Sequence, residues 1–224
     1  MCKRSCLTPE PCRNIEVSHT DYLNLLRKVA DTKGVKKVFI RSGIRFDYLM
    51  LDKGGEFFGE LVKNHVSGQL KVAPEHCSEG VLNYMGKPPI EVFESFCHKY
   101  EKVNKRLGKK QFLVPYLISS HPGSSIDDAI ILAEYLNKTG RLPEQVQDFY
   151  PTPGTLSTCM YYTGLDPRTL TPMHIPKTPK EKAAQRALLQ WNKPQSRAAV
   201  RETLKKAGRH DLIGFGKNCL VRPN

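Results

Sequence analysis

Apolar and polar positions along the chain switch between two periods, and each switch marks an element. Over 19–33, "HTDYLNLLRKVADTK", the residues Tyr22, Leu23, Leu25, Leu26, Val29 and Ala30 recur at helical spacing. Ser18 or Thr20 is placed to cap that helix, and Gly34 to end it. "KKVFIRSG" predicts a short β-branched strand near 36–41. "GEFFGELVKNHV" predicts a helix over 55–66 with Phe57, Phe58, Leu61 and Val62 inward. A strand is predicted near 69–73, then helices over 78–85 and 89–107, a strand over 111–118 and a helix over 125–138. "QVQDFYP", after Pro143, predicts a fourth strand.

Strands alternating with helices predict an α/β fold built of parallel βαβ units. The strands are nearly all apolar where clearest, as expected when both faces are covered. Beyond about 155 the pattern changes. "MYYTGLDP", 160–167, predicts a further short strand and turn. "PKTPKEKAAQRALLQWN" and "PQSRAAVRETLKKAGR" predict two helices, each entered through proline, and "DLIGFGKNCLVRPN" an ordered, turn-rich tail with a short strand. The chain therefore divides into a cysteine-containing segment over 1–18, a βα region over 19–155 and a mainly helical extension over 156–224.

Charge and cysteine content narrow the function classes. The formal net charge is +13, which suits a polyanion such as RNA. The basic residues are spread along the chain, the ordinary pattern of exposed helix faces. No stretch approaches the apolar length of a membrane span, and "MCKRSCLTPEP" lacks the apolar core of a signal peptide. The expectation is a cytoplasmic protein without a membrane partner. Its seven cysteines are then thiols or metal ligands rather than a disulfide framework.

In parallel α/β folds, function collects at the carboxyl ends of the strands. Those ends read "RSGIRFD", "APEHCSEG", "SSHPGSS" and "FYPTPGT", all rich in Gly, Pro, Ser, His or charge. They form four rim segments around an expected common site.

Several of these segments carry a resemblance. "SGIRFDYL", "LKVAPEHCSEGVLNYMGKP", "FLVPYLISSHPGSS", "QVQDFYPTPGTLSTCMYYTGLDPRTL", "IPKTPKEKAAQRALLQW" and "HDLIGFGKNCLVRP" occur in the same order as in the YgiQ family of radical S-adenosylmethionine (SAM) proteins, which the chain resembles over nearly its whole length. The resemblance implies a partial parallel (βα) barrel, the later strands of a radical SAM barrel, followed by a family-specific helical extension. It implies S-adenosylmethionine and a four-iron–four-sulfur cluster as cofactors. In the family the cluster cleaves SAM to a 5′-deoxyadenosyl radical, which takes hydrogen from a substrate that remains unknown here. The family's C-x3-C-x2-C cluster motif has no counterpart in this sequence. The chain is therefore expected to be a C-terminal portion, inactive alone, that needs the missing N-terminal half or self-associates through an exposed "KKVFI" edge.

The resemblance turns the strand ends into candidate SAM contacts. Ser42, Arg45 and Asp47 suit ribose hydroxyls and a carboxylate; the plainer reading is a rim salt bridge or cap. Glu75 suits the SAM amine or ribose and His76 a proton transfer, against a simple capping turn. Ser119, His121 and Gly123 line the next end. There Gly123 permits close backbone approach, and Ser124 or Ser125 caps the following helix. Tyr150 can stack on a ring above the "PTPGT" turn. No catalytic residue is assigned. Cys2, Cys6 and Cys12, with His19 as a fourth ligand, are the candidate metal group, read as an auxiliary structural site or as unpaired thiols. The alternative function is a non-catalytic RNA- or protein-binding module that uses the basic helices.

Overall fold

The structure, a computed structural model, describes residues 6–8, 10–143 and 146–223. Nine α-helices are present among them: α1 (Thr20–Ala30), α2 (Phe46–Met50), α3 (Glu56–Glu60), α4 (Glu79–Met85), α5 (Ile90–Arg106), α6 (Ile126–Thr139), α7 (Leu156–Thr163), α8 (Pro179–Leu189) and α9 (Arg197–Lys206). Three strands, β1 (Gln69–Glu75), β2 (Phe112–Ser119) and β3 (Gln147–Asp148), form one small sheet in the order β1-β2-β3. β3 pairs parallel to β2, with Ile118 opposite Gln147 and Ser119 opposite Asp148. The fold is thus mixed α/β with a small parallel sheet and many helices. The described residues divide into two compact units: those of Met1–Pro74 with Lys87–Pro115, and those of Glu75–Gly86 with Tyr116–Asn224.

The first unit is organised by α5. Phe93, Phe96, Cys97 and Tyr100 fall on one helical face and are buried. The Phe96 ring lies 5.9 Å from Phe46, 5.7 Å from Phe58 and 6.0 Å from Tyr100, centre to centre. The predicted helix over 55–66 is α3 continued by a π turn, Leu61–His65. Gln111 compensates for that irregular end: its Nε2 donates to the carbonyls of Val62 at 2.9 Å and Val66 at 3.2 Å.

The predicted strand over 36–41 is absent; the segment is extended but has no ladder. Its Ile40 amide donates to the His65 carbonyl at 2.9 Å, and Ile44 N–H to the Lys71 carbonyl at 3.2 Å. Isolated bonds of this kind, with one partner in a helical turn, do not make a strand. α2 lies in the stretch that reads in sequence only as a strand end.

The second unit packs α6 against α8, and α8 against α9, around Ala129, Ile130, Ala133, Leu188, Val200 and Leu204. α6 opens on a complete capping box: Ser125 Oγ accepts from Asp128 N, and the Asp128 carboxylate accepts from Ser125 N. The predicted strand at 160–167 falls partly in α7. Thr155 Oγ1 caps that helix by accepting from Thr158 N, and Gly164 closes it at φ +71°. The caps on either side outweigh the β propensity of "MYYT". The short strand predicted in the tail is reduced to a single bridge, Ile213 with Val221.

Phe96 is fully buried at the centre of the first unit's aromatic contacts. Phe96→Ala is expected to lower stability by about 3–5 kcal/mol in urea unfolding, with the loss confined to the transition that reports the first unit.

Candidate functional site

The polar residues at the strand ends of the second unit form one buried, hydrogen-bonded group. Two backbone features set it up. β1 ends at Glu75 with φ +67°, and β2 is followed by Ser120 with φ +61°. Both are left-handed conformations that residues with a Cβ rarely adopt. Each bend delivers a buried histidine, His76 after Glu75 and His121 after Ser120.

Both histidines are held neutral. Burial pushes each down to about 4. For His76 the nearby Asp128 works against burial and His121 adds to it, so the two rings interact electrostatically. Their tautomers follow from their partners. His76 Nδ1 accepts from the Ser78 backbone N–H at 2.9 Å, which puts its proton on Nε2. His121 lies 2.7 Å from the Pro122 carbonyl through Nδ1, so Nδ1 donates there. Its Nε2 then accepts from the Ser157 hydroxyl at 2.8 Å. Phe149 meets the His121 ring edge-on at 5.2 Å.

The anionic members are tied to neighbours. Burial works to raise Asp128, but hydrogen bonds from Ser125 and Ser78 hold its carboxyl below the usual range. Ser78 Oγ donates to it at 2.5 Å. Asp148 accepts from Ser119 Oγ at 2.5 Å and from Arg186 of α8. The next residue along α8, Gln185, is almost fully buried. Its Oε1 accepts from Ser120 N at 3.0 Å and Ser124 Oγ at 3.1 Å, while its Nε2 donates to the Ser124 carbonyl at 2.9 Å. The hydroxyl of Ser120 is buried and has no hydrogen-bond partner among the described residues.

The sequence-predicted residues separate accordingly. Glu75, His76, Ser119, His121 and Gly123 belong to the second unit and to its strand ends. The side of Gly123 where a Cβ would stand is filled by the Tyr84 ring, 2.3 Å from that position, and φ is +86°. Glycine is required there for packing against the protein itself. Tyr150, also in this unit, is exposed. Ser42, Arg45 and Asp47 belong to the first unit. There Arg45 forks onto Asp47 at 3.0–3.2 Å, and Asp47 also accepts from Tyr48 N at 2.9 Å.

Cys2 lies outside the described residues. Cys6 and Cys12 are joined by a backbone bond, Cys12 N–H to the Cys6 carbonyl at 2.9 Å. His19 is engaged with Asp52 at 2.7 Å and stacks on Phe57. Among the described residues no three His, Cys, Asp or Glu side chains are placed to hold a metal ion.

Sequence reading passed over Gln185, Ser157 and Arg186. Gln185 had a signal: it shares an inward helical face with Leu188 and Leu189, and a polar residue on that stripe calls for a buried partner. Ser157 and Arg186 had none.

Two outcomes follow from this geometry. Histidines that are neutral when folded but titrate near 6.5 when unfolded leave the unfolded chain with more bound protons between pH 6.5 and 4. Stability is therefore expected to fall as pH drops through that window, by up to about 3 kcal/mol per histidine. Urea unfolding at stepped pH checks this; His121→Gln should flatten the slope. Gly123→Ala, which meets both the Tyr84 ring and a positive φ, is expected to cost more than about 2 kcal/mol in the same assay.

Comparison with known proteins places this unit in context. Residues 144–224 match a family model described as a domain of unknown function, DUF3362. The chain is 59% identical over 222 residues to a UPF0313 protein of Clostridium perfringens strain 13, covering 99% of this chain and 34% of that protein. It is 58% identical over 224 residues to a UPF0313 protein of Clostridium botulinum strain 657, covering 100% of this chain and 35% of that protein. UPF0313 is the YgiQ family. The chain thus spans about a third of the length of the curated relatives it matches.

Proposed function

We propose that this chain is part of a YgiQ-like radical SAM protein, and that the strand ends of its second unit contribute to an S-adenosylmethionine site. One observation carries the reading. At two successive strand ends a strained non-glycine residue precedes a buried neutral histidine, Glu75–His76 and Ser120–His121. Such strain costs on the order of 1–3 kcal/mol per residue and concentrates at ligand sites. The three parallel strands are read, in the same proposal, as part of a partial βα barrel.

The residues present fit the ligand in kind. Ser120 Oγ, buried and unpartnered, suits a ribose hydroxyl or the methionyl carboxylate. Glu75 supplies a carboxylate for the ammonium group. Neutral His76 and His121 place no positive charge beside the sulfonium. When bound, S-adenosylmethionine supplies the radical precursor; this chain's residues bind it, orient it and exclude water. The described residues do not fit an iron–sulfur cluster, having no group of three ligands placed for a metal. The chain's part is confined to binding.

Ser120→Gly separates strain from function. It removes both the left-handed penalty and the hydroxyl. The melting temperature is expected to hold or rise, while S-adenosylmethionine affinity, measured by calorimetry, falls roughly tenfold. Absence of saturable binding to the native chain at millimolar ligand would overturn the reading. The chain reconstituted anaerobically with iron and sulfide should form no 5′-deoxyadenosine above a protein-free control; formation of it would contradict a binding-only role.

A further inference from the structure

A cavity of about 710 Å³ lies within the first unit, within the size range of small-molecule sites. Its wall brings together Arg27, Lys36, Lys37, Lys63 and Lys109, five cations against the two carboxylates of Asp31 and Glu60. Arg27 is spoken for by Glu56 at 2.6 Å. Among the described residues Lys36, Lys37, Lys63 and Lys109 make no ion pair. The positive charge of the cavity is therefore largely uncompensated.

A second observation concerns His65, which also lines the cavity and closes the π turn. π turns recur at functional sites. The His65 ring is buried, and its Nδ1 lies 2.8 Å from the Val38 carbonyl, so Nδ1 carries the proton and donates. Nε2 of the neutral ring is then an acceptor. It is buried and has no hydrogen-bond partner among the described residues. Glu60 Oε1 stands 3.8 Å away, beyond hydrogen-bond length, and already accepts from Asn64 Nδ2 at 2.6 Å. An unmade hydrogen bond of this kind is costly and unusual.

The two observations define one chemistry. The lysines call for negative charge, and Nε2 calls for a hydrogen-bond donor on the same ligand. Inorganic phosphate keeps a proton at neutral pH, and a phosphomonoester retains one in part, its second pKa being near 6. Sulfate and the diesters of a nucleic-acid backbone have no proton to give. We propose that this cavity binds inorganic phosphate or the terminal phosphate of a small phosphorylated molecule, with a P–OH donating to His65 Nε2 and its anionic oxygens facing Lys36, Lys37 and Lys63. The site lies within the first unit and is independent of the strand-end reading, so either can fail without the other.

Calorimetric titration of the purified chain at pH 7 and low ionic strength tests this. Phosphate is expected to bind saturably, and sulfate, of the same charge at that pH, roughly tenfold more weakly, as for one buried hydrogen bond left unmade. Tighter binding of ribose 5-phosphate than of phosphate assigns the site to a phosphomonoester; the reverse order assigns it to the free anion. Lys63→Gln and Lys36→Gln should weaken phosphate and sulfate alike with unchanged melting. His65→Gln should erase the preference between them. If that variant does not fold, the phosphate-to-sulfate ratio of the native chain and the lysine variants still decide. Equal binding of the two anions, no saturable phosphate binding, or binding of a short RNA without terminal phosphate in preference to phosphate would overturn the proposal.

Discussion

One buried side-chain amide, that of Gln185, fixes the loop on which the second unit's polar centre depends. Its oxygen takes the amide of Ser120 and the hydroxyl of Ser124, and its nitrogen returns a bond to the Ser124 carbonyl. A loop in this position has backbone groups withdrawn from water, and each must find a partner. The amide of glutamine, donor at one end and acceptor at the other, meets three of these needs at once. Arg186, the next residue, reaches the Asp148 carboxylate that also holds Ser119. Two consecutive residues of α8 thereby secure the ends of β2 and β3.

The left-handed turn at Ser120 is stable only because its neighbours over-determine it. With the turn in place, His121 is directed into a setting where burial keeps it neutral and where Pro122 and Ser157 fix its tautomer. The same sequence of events recurs at Glu75 and His76, there with Ser78 and Asp128 as the partners. Polar residues at these ends are thus a connected network rather than loop decoration. Such a network is rigid when every member is satisfied, and the one hydroxyl left unpaired, that of Ser120, becomes conspicuous.

Much of this frame was legible in the sequence. The helical stripe Phe93–Phe96–Cys97–Tyr100 marks α5, and Ser125 with Asp128 marks the start of α6, because each pattern maps onto one local geometry. The clustering of Glu75, His76, Ser119 and His121 followed from strand ends alone. What sequence did not reveal depends on tertiary context. Non-glycine residues carry no sign of positive φ, so the bends at Glu75 and Ser120 were invisible. Segment 36–41 has strand composition but lacks a ladder. Gly123, read as room for a ligand, makes room for Tyr84. The π turn at Leu61–His65 reads as ordinary helix until Gln111, far along the chain, is seen to accommodate it.

The claim that Gln185 holds the strand-end loop is tested most directly by native-state amide hydrogen exchange on Gln185→Leu, which keeps the helix and the burial but removes the three bonds. The account predicts that the Ser120 amide, protected in the parent chain, loses roughly tenfold or more of its protection, while amides within α6 and α9 keep theirs. Unchanged protection at Ser120 in a folded Gln185→Leu chain would contradict it.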